Sequence, residues 1–234
     1  MDGLGWKIER CGKNVMGTSD MVRVYADKEI VISYDPRRCI HAAECTHGLP
    51  AVFDNACRPW IMPSRARADE IAVVISKCPS GALHFTRLDG GSTEISPDDN
   101  TIVPTPMGPL CVRGRIQLRS AKGSLIVEDT RLTLCRCGHS HSKPFCDNSH
   151  RDSGFDDPGA VAEGGEPPTT KDGLSLTASL NGPLLAEGAF TLCDAAGRGQ
   201  YQAANGELCR CGGSGNKPFC DGTHERIGFR SEES

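Results

Sequence analysis

Aromatic residues make up only 5% of this 234-residue chain, and hydrophobic residues as a whole 38%. That is thin for one large core, and with 27 Gly and 15 Pro it favours several small, loop-rich domains that need staples. Long apolar runs are missing too. None approaches the ~20 residues of a membrane helix, so no membrane partner is expected. The opening stretch MDGLGWKIERCGKNVMGTSD has no apolar h-region of a secretory signal, which points to the cytoplasm. Met21 offers a second start position. Basic excess is lacking: 26 Lys and Arg against 30 Asp and Glu give a net charge of -4, which leaves no electrostatic footprint for nucleic acid. No nucleophile–base pair, P-loop or dinucleotide fingerprint stands out, so a carrier or binding role is expected before an enzymatic one.

Cysteine is abundant by contrast, with 13 residues. The count is odd, and two C-x-C pairs are too tight to close on themselves. Thiolates bound to metal in a reducing compartment fit better than disulfides. Cys209 to His224 reads CRCGGSGNKPFCDGTH, and Cys135 to His150 reads CRCGHSHSKPFCDNSH. Both space their ligands as C-x-C-x8-C-x3-H, and all four ligands recur at an offset of 74 residues. The repeat extends beyond the ligands. GPLCVRGRIQL (108–118) aligns with GPLLAEGAFTL (182–192), and Gly154-Phe155 aligns with Gly228-Phe229, at the same offset and without a gap. Each unit therefore reads as two or three alternating strands, a ligand loop, one helical turn and a Gly-Phe exit.

The loop chemistry follows from residue type. The third cysteine and the histidine lie four positions apart and would share a face if the segment turns helically. Asp147 and Asp221 are N-cap candidates for that turn. Gly138, Gly212 and Gly213 allow a tight turn after C-x-C that frees backbone N–H groups to point at sulfur, while Pro144 and Pro218 stiffen the approach to the third cysteine. A Cys3His set accepts zinc or a [2Fe–2S] cluster, and spacing leaves the two open, although C-x-C is tighter than zinc turns usually are.

Both stretches resemble the CDGSH iron–sulfur motif, C-x-C-x2-[ST]-x3-P-x-C-D-G-[ST]-H. The second matches throughout, at Cys209, Cys211, Ser214, Pro218, Cys220, Asp221, Gly222, Thr223 and His224. The first departs only at Asn148, where the family has glycine. The resemblance implies a [2Fe–2S] cluster at Cys135, Cys137, Cys146 and His150 and another at Cys209, Cys211, Cys220 and His224. It also implies a monomer whose two repeats form an internal pseudo-two-fold dimer with a shared β-rich core.

Upstream, residues 25–90 read as a small α+β domain. Lys28 to Asp35 alternates as a strand, CIHAAEC suggests one or two helical turns, PWIMP a short strand, Ser64 to Cys78 a helix and Ala82 to Leu88 a closing strand. Cys39 and Cys45 stand at C-x5-C with Ala42 between them, and Cys78-Pro79 follows remotely. Bacterial ferredoxins use C-x2-C-x2-C with a remote Cys-Pro. CIHAAEC, PWIMP and CPSGAL are similar to three-cysteine ferredoxins and, more closely, to the divergent single-cluster 4Fe–4S domain. That implies one [3Fe–4S] or [4Fe–4S] cluster on Cys39, Cys45 and Cys78, with Cys57 a further ligand candidate and His41 a poorer one.

Other residues carry less. His139 and His141 read as solvated loop residues, Lys143 and Lys217 as charge offsets or surface groups, Cys111 and Cys193 as small packing residues and Cys11 as a free thiol. The chain divides as an extension (1–24), a ferredoxin-like cluster domain (25–90), a linker (91–100), repeat 1 (101–156), a second linker (157–173) and repeat 2 (174–234). The expected fold is α+β: a ferredoxin-like domain, then a tandem pseudo-dimer with short helical turns. The expected role is electron transfer, redox sensing or cluster delivery to a redox partner protein or an apo iron–sulfur acceptor. A structural zinc protein and an electron-transfer subunit of a larger oxidoreductase are the alternatives.

Overall fold

The computed structural model describes residues 22–168, 173–197 and 199–231. Cys11, Met21 and the rest of the expected N-terminal extension up to residue 21 lie outside them. The chain forms two compact units.

The first unit holds most of residues 22–94. Its strands β1 (Arg23–Ala26), β2 (Ile30–Tyr34) and β3 (Leu83–Arg87) form one antiparallel sheet in the order β1-β2-β3. The alternation in β2 sends Ile30, Ile32 and Tyr34 inward, where they join Phe53, Ile71, Ile75 and Phe85 in the core. β1 was not foreseen, because four residues with one buried side chain carry almost no periodic signal. The helix expected over Ser64 to Cys78 is shorter. A 3-10 turn (Pro63–Arg65) precedes α2 (Ala68–Ile75). Glu70 closes the start of α2 by accepting the Arg67 N–H at 3.1 Å. The PWIMP strand does not form. Pro59 and Pro63 remove ladder donors at both ends of the run, and only a single bridge, Phe53 to Ile61, remains. CIHAAEC is mostly irregular, and α1 (Glu44–Gly48) begins only at its end.

The second unit contains the described residues from Ile95 onward together with Arg37–Ile40 and Pro79–Gly81. Repeat 1 supplies β4 (Thr101–Pro104), β5 (Leu110–Ser120) and β6 (Leu125–Leu134). Repeat 2 supplies β8 (Leu174–Ala178), β9 (Leu184–Cys193) and β10 (Gln200–Leu208), and the short β7 (Gly164–Gly165) adds to β10. Within each repeat the three strands form an antiparallel meander. Each first strand also pairs across the repeats: β4 runs parallel to β9 and β8 parallel to β5. The registers obey the 74-residue offset, since Ile102 faces Leu192 while Leu176 faces Leu118. The pseudo-two-fold axis is thus written into the backbone pairing.

The buried residues follow the same symmetry. Ile102, Leu110, Ile116, Leu118 and Leu134 of repeat 1 meet Leu176, Leu184, Phe190, Leu192 and Leu208 of repeat 2 in one core. Gly114 sits at the bulge where the β5–β6 register shifts. Its φ is +144°, and a Cβ there would lie 2.1 Å from the Asn100 side chain, which explains why that position is glycine.

Candidate metal centres

β6 and β10 end by delivering Leu134 and Leu208 to the core, and the next residue of each is the first ligand. The Cys135 and Cys137 sulfurs stand 3.7 Å apart, and Cys146 Sγ lies 3.5 Å from His150 Nδ1. In repeat 2 the Cys209 and Cys211 sulfurs are 3.8 Å apart and Cys220 Sγ is 3.3 Å from His224 Nδ1. Each loop therefore presents two pairs of ligands. The third cysteine is fixed from both sides: Cys146 N–H donates to Thr133 O at 3.0 Å, and Cys220 N–H to Glu207 O at 2.8 Å. The helical turn is a 3-10 turn (Ser149–Arg151) in repeat 1 and the short α3 (Thr223–Arg226) in repeat 2. The N-cap position falls on Asn148 and Gly222, not on Asp147 and Asp221 as expected; from one residue earlier, the two aspartates accept the N–H of the turn's first residue, at 3.0 Å in both copies.

Backbone N–H groups point at sulfur as the glycines suggested. His139 N–H approaches Cys137 Sγ at 3.5 Å, Gly213 N–H approaches Cys211 Sγ at 3.4 Å, and Asn148 N–H approaches Cys146 Sγ at 3.4 Å. Gly138 and Gly212 have φ of +85° and +80°. A Cβ on either would lie 2.6 Å from the carbonyl of the other loop's C-x-C segment. The two loops cross there, at an isolated bridge between Cys137 and Cys211.

The residue between the first two cysteines is arginine in both copies, and sequence reading passed over it. Arg136 and Arg210 are buried. Arg136 donates to Gly108 O at 2.7 Å and Thr105 O at 2.6 Å and pairs with Asp157. Arg210 donates to Gly182 O at 3.0 Å and also to Ser179 O. These arginines tie each C-x-C to the turn before the second strand of its own repeat. The first carries a carboxylate partner, whereas the second reaches the Ser231 hydroxyl at 3.2 Å. Ser140 and Ser214 brace the loops by donating to Phe145 O and Phe219 O, both at 2.7 Å. Lys143 and Lys217 donate to Ser140 O and Ser214 O, so they bind their own loops.

Mutual contact and burial shift the cysteine thiols in different directions. Cys137 is pushed far up, chiefly by its hydrogen bond to the Cys135 sulfur and then by burial, while the same bond brings Cys135 down to about 6. Burial pushes Cys146 up to about 11 and also raises Cys209 and Cys220. Burial and nearby Arg151 lower His150 from the usual imidazole value. Burial brings Arg210 down to about 10, opposed by the Cys135 sulfur. His141 is exposed, with Nδ1 3.4 Å from Asp147 Oδ2, and His139 is exposed. Cys111 lies on β5 opposite Thr133, and Cys193 closes β9 opposite Gln200.

The upstream cysteines fall on three different elements. Cys39 follows a 3-10 turn (Pro36–Arg38), Cys45 lies in α1, and Cys78 follows α2 with its N–H on Ile75 O at 2.9 Å. All three thiols are half-buried. Between Cys39 and Cys45, His41 and Ala43 hold φ of +54° and +62°. Two non-glycine residues in that region mark a loop held in shape for a purpose. Cys57 is buried and donates to Asp54 Oδ2 at 3.1 Å. Among the described residues no disulfide forms, and no three His, Cys, Asp or Glu side chains converge on a single ion.

The divergent 4Fe-4S mono-cluster family matches residues 25–88. The iron-binding zinc finger CDGSH type matches residues 107–151 and again 181–225. The chain belongs to both families. Two relatives, the uncharacterized protein YjdI of Escherichia coli K12 and that of Escherichia coli O157:H7, are each 33% identical to it over 63 residues, which is 27% of this chain and 83% of the relative. The iron–sulfur reading of the tandem CDGSH repeats and of the domain ahead of them therefore holds. Among the described residues no helix is long and apolar enough to cross a membrane.

Proposed function

We propose that this protein is a one-electron carrier with three iron–sulfur clusters: a [2Fe–2S] cluster on three cysteines and one histidine in each CDGSH repeat, and one cubane-type cluster, [4Fe–4S] or [3Fe–4S], on Cys39, Cys45 and Cys78. The pairing of ligands carries this reading. Two sulfurs held ~2.3 Å from one tetrahedral metal lie about 3.8 Å apart, which is the separation in each C-x-C pair. The Cys–His pairs are as close. Two such pairs per loop suit two metal ions with two protein ligands each. A single zinc ion would instead need all four donors around one point.

The donor set fits the group in other respects. Soft thiolates and an imidazole suit iron–sulfur chemistry, and N–H groups directed at sulfur favour the anionic form. When bound, the cluster supplies reversible one-electron exchange. The chain's own residues set how that exchange occurs. The thiols of the first site are buried while His150 is only half-buried, so that site opens to water through its imidazole; in the second, Cys220 and His224 are both half-buried. Replacing one thiolate by neutral imidazole removes a negative charge, which makes reduction easier, the direction seen in Rieske centres. The free imidazole nitrogen can take a proton as the electron arrives.

The redox partner on this reading is a cytoplasmic protein that accepts or donates single electrons. Competition between two acceptors tests it. Reduced protein should pass electrons to a one-electron acceptor within seconds and retain its iron when mixed with an apo-ferredoxin. Transfer of iron and sulfide to the apo-ferredoxin on that timescale would make it a cluster donor instead.

A further inference from the structure

The two CDGSH repeats differ where the first meets the short segments Arg37–Ile40 and Pro79–Gly81, which pack in the same compact unit. Asn148, in the turn between Cys146 and His150, donates its side-chain N–H to Ile40 O at 2.8 Å. Arg38 donates to Asp129 Oδ2 at 2.6 Å, Ser80 O at 2.8 Å and Arg131 O at 3.1 Å, and it lies over the Phe145 ring at 5.6 Å. Thr133 donates its hydroxyl to Pro79 O at 3.1 Å. At the offset of 74, Asp129, Thr133 and Asn148 are replaced in repeat 2 by Ala203, Glu207 and Gly222. None of the three replacements could repeat the contact. Glu207 and Gly222 are exposed, and nothing lies within 4 Å of a Cβ built on Gly222.

Asn148 carries the argument. Its φ is +73° and that of Gly222 is +81°, so the turn needs a left-handed residue in both copies. Glycine meets that need without strain, and asparagine is among the few side chains that tolerate it. Repeat 1 thus accepts a less favourable residue and gains one amide donor. The donor binds the carbonyl next to Cys39, while the backbone N–H of the same residue approaches the Cys146 sulfur. A single residue joins the neighbourhoods of two expected cluster ligands.

We propose that Asn148 is a positioning residue that fixes the Cys39 segment against the first CDGSH turn, so that the exposure of Cys39 depends on repeat 1 and is indifferent to repeat 2. This rests on the cluster-binding reading above for its consequences, but the positioning itself can be tested without any cluster.

The test compares Asn148→Asp, Asn148→Gly and Gly222→Asn in the full chain. Asn148→Asp keeps size and left-handed tolerance but turns the donor into an acceptor facing a carbonyl. Asn148→Gly restores the turn of repeat 2 and so protects folding. In metal-free protein, the alkylation rate of Cys39, measured by peptide mass spectrometry and normalised to Cys193, should rise about three- to tenfold in both Asn148 variants, the factor that one lost hydrogen bond is worth in an opening equilibrium. Gly222→Asn should leave it unchanged. In loaded protein, the EPR signal and midpoint potential of the cubane-type cluster should shift in the Asn148 variants, with the repeat 2 signal unmoved. Unchanged Cys39 labelling and an unchanged cubane-type signal in both Asn148 variants would overturn the proposal. A wild-type protein without iron and sulfide would overturn the cluster reading alone, because the labelling result would still stand.

Discussion

At the scale of the residue, the proposed ligand set makes one nitrogen among four donors decisive for the chemistry of each CDGSH site. His224→Cys should lower the midpoint potential of the second cluster by roughly 100 mV or more, given the span that separates nitrogen-ligated from all-thiolate [2Fe–2S] centres. It should also slow cluster loss at mildly acidic pH, because protonation of imidazole competes with iron and a thiolate resists that competition better. Redox titration and absorbance decay at pH 5.5–6 would register both effects, and a raised potential would contradict the charge argument. The buried arginines matter by a different route. Arg136→Met takes from Asp157, whose side chain is only 13% exposed, its closest cation and leaves only Lys217 Nζ, at 4.0 Å. Breaking a buried pair from one side costs about 3–5 kcal/mol, so the thermal midpoint should fall by about 10 °C. The Cys3His spacing was legible in the sequence because it is local and is written twice. Arg136 and Arg210 were present in the same quoted stretches, at the same offset, yet their partners lie 21 to 31 residues away. Only the fold reveals what those side chains bind.

At the scale of the element, the two ligand loops share one crossing at Cys137 and Cys211. Gly138→Ala puts a Cβ 2.6 Å from Cys211 O and adds about 1–2 kcal/mol for a left-handed alanine. Since the clash falls on the opposite loop, this substitution in repeat 1 should reduce cluster content in both repeats. Iron and sulfide analysis checks it, and a loss confined to repeat 1 would show that the crossing does not couple them. The strands themselves were readable from alternation and from the repeat. Their pairing across the repeats was not, because a period of two says which face is buried and nothing about which strand lies alongside. PWIMP failed as a strand for a simple reason: the two prolines that bracket it outweigh its β-like composition.

At the scale of the molecule, the pairing across the repeats makes each repeat incomplete. β4 needs β9 and β8 needs β5, and the core draws on both copies. A fragment ending after Gly165 should therefore be a dimer in which β4 of each copy also pairs with β5 of the other. Sedimentation would show twice the fragment mass, and a folded monomer would contradict the pairing. The iron–sulfur assignment is tested most directly by measuring iron, acid-labile sulfide and zinc in anaerobically purified protein, together with EPR of the oxidised and reduced forms. The account predicts iron and sulfide for two [2Fe–2S] clusters and one cubane-type cluster per chain, with reduced spectra showing nitrogen coupling from His150 and His224. Stoichiometric zinc without labile sulfide would contradict it.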